Sequence, residues 1–179
     1  MEDNKRLYAN QRVGIFIDVQ NIYHSAKNLY HSRVNFDELN KTLLGKRELI
    51  RAFAYVVKSE TALGEESFFE ALKKTGLELR TKDLQIYPGG MKKADWDVGI
   101  AVDAIRLSDV LDVVILVTGD GDFAPLVDYL KWGKGRQVEV AAFSRTASGK
   151  MREVADKFIE IEKIPRILMK IPKQKMSKS

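Results

Sequence analysis

Four aspartates stand where a folded chain could hold a hard cation. Asp18 closes the apolar run Val13-Gly14-Ile15-Phe16-Ile17. Asp120 and Asp122 follow a second run, Val113-Val114-Ile115-Leu116-Val117, after Thr118-Gly119 and astride Gly121. Asp97 opens a third stretch, rich in Ala and Ile, that continues through Asp103. Each alone has a plain structural use, because an aspartate in the first turn of a helix caps free N–H groups and complements the dipole. Together they carry more weight. Two separate apolar strands end in Asp, and carboxylates gathered in one crevice repel each other until a hard divalent cation joins them.

The elements that would position these residues can be read from the pattern. Near-continuous apolar strands signal a parallel sheet covered on both faces, and ligands of such sheets sit beyond the carboxyl ends of the strands. Strands are expected over 12–18, 49–57, 77–80, 84–87, 113–117, 137–143 and 158–161. Helices are expected over 21–30, from Asn35 as N-cap, and over 65–75, 95–107, 123–132 and 148–157. Gly76 and Gly133 are read as helix stops, Ser148 as a cap and Pro88-Gly89-Gly90 as a turn. Strand and helix alternate throughout, which predicts a three-layer α/β/α domain around a mostly parallel central sheet. At about 100° per residue, Asp97 and Asp103 fall about 120° apart on the helix, so Asp103 is expected behind the site or outward. Asp95 is expected to precede the helix, and Gly119 and Gly121 to let the turn bend sharply.

Composition narrows the function classes. The 179 residues are 45% hydrophobic, enough for one domain with a sizeable core. Without cysteine there is no disulfide, thiol nucleophile or zinc–thiolate site. The start, Met1-Glu2-Asp3-Asn4-Lys5-Arg6, lacks the apolar core of a signal peptide, and no apolar run reaches membrane-span length. A cytoplasmic protein with no membrane partner is expected. The net charge of +5 is uneven: residues 163–179 carry six Lys and Arg and no acid, leaving 1–162 at −1. The organisation expected is a flexible N-terminus over 1–11, a domain over 12–162 and a basic tail over 163–179. Such a tail strengthens nucleic-acid binding without sequence choice, or serves as a solvated, partly disordered end. Its Ile164, Ile167, Leu168 and Met169 suit self-association into a homo-oligomer, a partner, or packing back onto the body.

Taken together, Asp18-x-x-Asn21, Lys93-x-x-x-Asp97-Val98 with Ala101 and Asp103, and Thr118-Gly119-Asp120-Gly121-Asp122-Phe123 resemble the NYN domain. The similarity is to its LabA-like branch, within the PIN-like nuclease superfamily. Ala142-Phe143-Ser144 and Ala155-Asp156-Lys157-Phe158 resemble that branch's last strand and helix. The resemblance covers about residues 12–162 and implies a PIN-like α/β/α fold. It implies an acid cluster binding Mg²⁺ or Mn²⁺, and cleavage of RNA phosphodiester bonds. Asp18, Asp97, Asp120 and Asp122 then match the metal-site acids, Asn21 the polar residue beside them and Thr118 a small hydroxyl position.

This chemistry agrees with the residues. A carboxylate-held metal lowers the pKa of bound water and polarises a phosphoryl group, so no histidine base is needed. His24 and His31 group with nothing that would form a triad. Phosphate contacts are expected from Lys92, Lys93, Arg145 and Lys150. Lys131, Lys134 and Arg136 fall at the far end of their strand. Trp96 and Tyr23 are candidates to stack on bases of single-stranded RNA, or to pack in the core. Two other readings compete. Gly119-Asp120-Gly121-Asp122 looks like the late acidic motif of haloacid-dehalogenase-type phosphatases, but Gln20 stands where that chemistry needs its second Asp. A non-catalytic RNA- or protein-binding module could keep the metal site without turnover.

Overall fold

A computed structural model describes residues 9–58, 65–90 and 92–171, with the side chains of Lys92 and Lys93 outside the description. The centre is a six-stranded sheet. Its strands are β1 (Arg12–Asp18), β3 (Glu48–Lys58), β4 (Glu78–Asp83), β7 (Val113–Val117), β8 (Gln137–Ala142) and β9 (Lys157–Glu160). They lie in the order β4-β3-β1-β7-β8-β9, and every pairing is parallel. The chain winds outward from β1 through β3 to β4, then returns to β7 on the other side and winds out to β9. The winding direction therefore reverses between β1 and β7, the crevice where open α/β sheets place ligands.

Strand alternation divides the core into two layers. Val13, Ile15, Ile17, Ile115 and Val117 face one side, under α1 (Val19–Tyr30), α2 (Phe36–Leu44) and α3 (Glu65–Lys74). Phe16, Phe53, Val114, Leu116 and Val140 face the other, under α4 (Asp97–Leu107), α5 (Ala124–Asp128) and α6 (Gly149–Val154). The result is the three-layer α/β/α domain with a parallel centre that the sequence pattern predicts. β1 and β7 are buried on both faces, which explains their unbroken apolar reading.

Local chemistry sets most boundaries. Asp18 caps α1 by accepting the Asn21 N–H, Asn35 caps α2 through Glu38 N–H, and Ser148 caps α6 through Lys150 N–H. Gly76 takes φ +83 just beyond α3. Three elements differ from expectation. The stretch expected as one helix over 123–132 is a 3₁₀ turn at Gly121–Phe123, then α5, then a π turn at Tyr129–Gly133, so Gly133 lies inside the element rather than past it. α6 ends at Val154, because Ala155 turns extended and the Asp156 carboxylate accepts the Val138 N–H, leading the chain into β9. A short strand, β2 (Ser32–Val34), pairs antiparallel with β10 (Leu168–Lys170), which no period in so few residues could announce.

That ribbon carries the chain past residue 162 back onto the body. Ile164 and Ile167 are buried in the first core layer, while Met169 stays exposed. Residues 1–8 and 172–179, which hold the outer parts of the expected flexible N-terminus and basic tail, lie outside the described residues. No helix among the described residues is long and apolar enough to cross a membrane.

Candidate metal centre

The site grows from the carboxyl ends of β1 and β7. Their register runs Val13–Val113 to Ile17–Val117, so Asp18 and Thr118 emerge side by side. One oxygen of Asp18 accepts the Asn21 N–H at 3.2 Å and the other faces the Thr118 hydroxyl at 3.5 Å. Past Thr118 the chain turns through Gly119-Asp120-Gly121-Asp122. Asp120 caps that turn, accepting the Asp122 N–H at 2.9 Å. α4 approaches with its N-terminus leading and puts Asp97 in its first turn. Carboxylate oxygens of Asp97, Asp120 and Asp122 all lie within 4.8 Å of one another.

Asp18 stands just behind this group. Its carboxyl is pushed up to about 6, first by burial and then by the negative charges of Asp97 and Asp120, with the Asn21 N–H working the other way. Burial also raises Asp97, with Asp95, Asp120 and Asp122 adding to the effect. These acids are short of positive charge. Oxygens on opposite sides of one Mg²⁺ lie about 4.2 Å apart, so small side-chain rotations would bring the three onto one ion. The donor set is all hard oxygen, with no Cys in the chain and both histidines exposed elsewhere on the surface. The residues present fit Mg²⁺ or Mn²⁺.

The supporting contacts are specific. The Asn21 side-chain oxygen Oδ1 accepts the Gly119 N–H at 3.0 Å, tying the start of α1 to the turn after β7. On the other side the Ser148 N–H donates to the Gly119 carbonyl at 2.8 Å. A Cβ at Gly119 would stand 2.9 Å from the Ala147 Cα, and one at Gly121 would stand 2.7 Å from the Ser148 Oγ. Neither glycine has positive φ. They are needed for this close approach rather than for the sharp bend expected of them.

The other candidate residues separate. Asp103 lies away from the cluster: it accepts the Tyr55 hydroxyl at 2.9 Å and pairs with Arg80 and Arg106. Asp95 is exposed and precedes α4. Trp96 donates from its indole N–H to the Val56 carbonyl at 3.0 Å and packs against Tyr55, with Lys82 over its ring. Tyr23 is exposed on α1. Arg145 and Lys150 are exposed beyond the carboxyl end of β8, on the same rim as the acids, and neither has an ion-pair partner among the described residues. Lys131 and Lys134 sit at the opposite end, bound to Asp156 and Asp109. Lys92 and Lys93 form β6 (Lys92–Lys93), which pairs with β5 (Gln85–Ile86). Lys82, which no sequence motif marks, donates to the Asp95 carbonyl at 2.9 Å and eases Asp97 toward ionisation.

Comparison with known proteins gives the chain's family and fold. Residues 12–162 match the NYN domain model. The chain is 23% identical over 176 residues to the low amplitude and bright protein LabA of Synechococcus elongatus, covering 95% of this chain and 86% of that one. A crystal structure of a Vibrio parahaemolyticus protein of unknown function superposes with a TM-score of 0.83 at 31% identity, covering 90% of this chain and 98% of the other.

Proposed function

Because this chain belongs to the NYN domain family, we propose that it is a metal-dependent ribonuclease that hydrolyses phosphodiester bonds of single-stranded RNA. The observation that carries this reading is the convergence of Asp97, Asp120 and Asp122 within 4.8 Å at the β1–β7 switch point. Those three would hold one or two Mg²⁺ or Mn²⁺ ions. The bound ion would supply a water of lowered pKa and charge relief at the phosphoryl group.

The protein's own groups have separable tasks. Asp18, held by the Asn21 N–H and the Thr118 hydroxyl, adds negative charge behind the three ligands or completes their set. The Asn21 side-chain oxygen is already engaged by the Gly119 N–H, which leaves the side-chain NH₂ for a water or a phosphate oxygen. Through the Gly119 contact Asn21 also fixes where Asp120 and Asp122 stand. Arg145 and Lys150, on the same rim, attract the sugar–phosphate chain.

The test uses labelled single-stranded RNA and a matched DNA in Mn²⁺, Mg²⁺ and EDTA, beside Asp120→Asn. RNA cleavage that needs metal and falls at least about 100-fold in the variant is expected, since a charged ligand is lost at a preorganised centre. Unchanged cleavage in Asp120→Asn overturns the site. Binding without cleavage in every metal moves the protein to a non-catalytic RNA-binding role.

A further inference from the structure

Beyond β4 the chain leaves the sheet as a two-stranded arm. Gln85 pairs with Lys93 and Ile86 with Lys92, around a turn closed by the Gly90 N–H on the Tyr87 carbonyl at 3.0 Å. A ribbon this short has little stability of its own. It is held at its root instead. The Leu84 N–H donates to the Lys58 carbonyl at 3.0 Å, and Lys82 donates to the carbonyl of Asp95, two residues before Asp97. The arm is thus anchored beside the acid cluster.

The arm and the first turn of α4 beside it display large apolar side chains to solvent. Ile86 is 64% exposed and Tyr87 43%, and Val98, directly after Asp97, is 75% exposed. The Tyr87 hydroxyl donates to the Gln85 side chain at 3.1 Å, so the phenol is held by its own ribbon and not by the core. Trp96, the other aromatic close by, is packed against Tyr55 and bonded to Val56. From Leu84 to Ala94 the sequence carries Lys92 and Lys93 and no acid. Exposed apolar faces do nothing for a cation. In a segment whose sequence carries positive charge and no acid, they suit a polyanion that also carries flat apolar rings.

We propose that this arm is the base-stacking platform of the site, with Tyr87 receiving the face of an unpaired nucleobase. The assignment rests on the RNA reading above. It differs from the platform expected from sequence, because it gives the stacking role to Tyr87 rather than to Trp96 or Tyr23. Base–aromatic stacking is tolerant of sequence, so the arm would grip single strands without choosing among bases.

The experiment compares two ligands in the Asp120→Asn background, where cleavage is suppressed. One is a single-stranded oligoribonucleotide and the other an abasic ribose–phosphate strand of equal length. Tyr87→Ala is expected to weaken binding of the base-bearing strand about five- to ten-fold, the low end of what one stacked base contributes, and to leave the abasic strand unchanged. Tyr87→Phe keeps the ring and is expected to keep the affinity. Equal weakening on both strands, or none on either, overturns the proposal. So does loss of a self-associated species on sedimentation with RNA affinity intact, which would give the arm to a second copy of the chain. If the parent protein binds neither strand, the RNA reading itself falls and the platform with it.

Discussion

At the scale of single residues, the chemistry is governed by carboxylates that lack positive partners. Asp18 shows the consequence most directly. Its folded-state value of about 6 lies above the ordinary 3.8, so between those two the folded protein keeps a proton that the unfolded chain releases. The stabilising contribution is complete below about pH 3.8 and is lost as pH rises through 6. Protein freed of metal by EDTA should therefore melt at a lower temperature at pH 8 than at pH 5, with Asp18 accounting for about 1–1.5 kcal/mol of the difference, since the part of the window below pH 5 lies outside that comparison. Asp18→Asn removes the titrating group and should flatten that part of the profile. Adding Mg²⁺ at pH 8 should raise the melting temperature of the parent protein, because a ligand bound only by the folded state stabilises it by mass action. Melts of both proteins at the two pH values decide the matter, and a parent protein equally stable at pH 5 and 8 in EDTA would contradict the assignment of Asp18 as a carboxyl raised by burial.

At the scale of elements, the turn Gly119–Asp122 is the part on which the site depends. It is gripped from the start of α1 by Asn21 and from the β8–α6 connection by Ala147 and Ser148. A methyl group at 119 would meet backbone that has nowhere to go, so Gly119→Ala should cost about 1–3 kcal/mol and lower activity beyond what the lost stability explains. Gly149→Ala is the matched control. Its Cβ meets nothing within 4 Å, and the residue sits in the first turn of a helix without positive φ. That variant should be neutral or slightly more stable, as judged by urea unfolding. What sequence could convey at this scale follows from range. Strands buried on both faces, helix caps and the Asp at each strand end depend on neighbours in the chain, and Asp18, Asn35 and Ser148 were legible for that reason. The convergence of Asp97 with Asp120 and Asp122 was legible only through the expected topology. The grip on Gly119 depends on contacts about 28 and 98 residues away and could not be read as spacing. Pro88-Gly89-Gly90 was legible as a turn, but Tyr87 before it was not legible as a displayed aromatic, since exposure is a property of what packs nearby.

At the scale of the whole molecule, the basic end of the chain joins the fold through residues 163–171 and carries three further lysines beyond them. Residues 163–171 close the β2–β10 ribbon: Ile167 is buried, its carbonyl accepts the Asn35 N–H at 2.8 Å, and Arg166 pairs with Glu38. Ile167→Ala should cost about 2–4 kcal/mol, as for other buried large-to-small changes, and a chain ended after Glu162 should lose at least that much. A chain ended after Ile171 keeps the ribbon and gives up Lys173, Lys175 and Lys178, which lowers the net charge from +5 to +2. Its melting temperature should match the parent's. Its RNA affinity should fall at low salt. Each phosphate neutralised on a single strand contributes about −0.7 to the slope of log K against log salt, so losing three such contacts should make that slope shallower by about 2. Filter binding from 50 to 300 mM salt, on the order of the range over which such slopes are resolved, reads this directly. A slope unchanged by the cut would mean that the last lysines touch no phosphate. The attraction would then come from the cations fixed around the acid centre, Arg145 and Lys150 among them, and the affinity lost to any other truncation would measure folding alone.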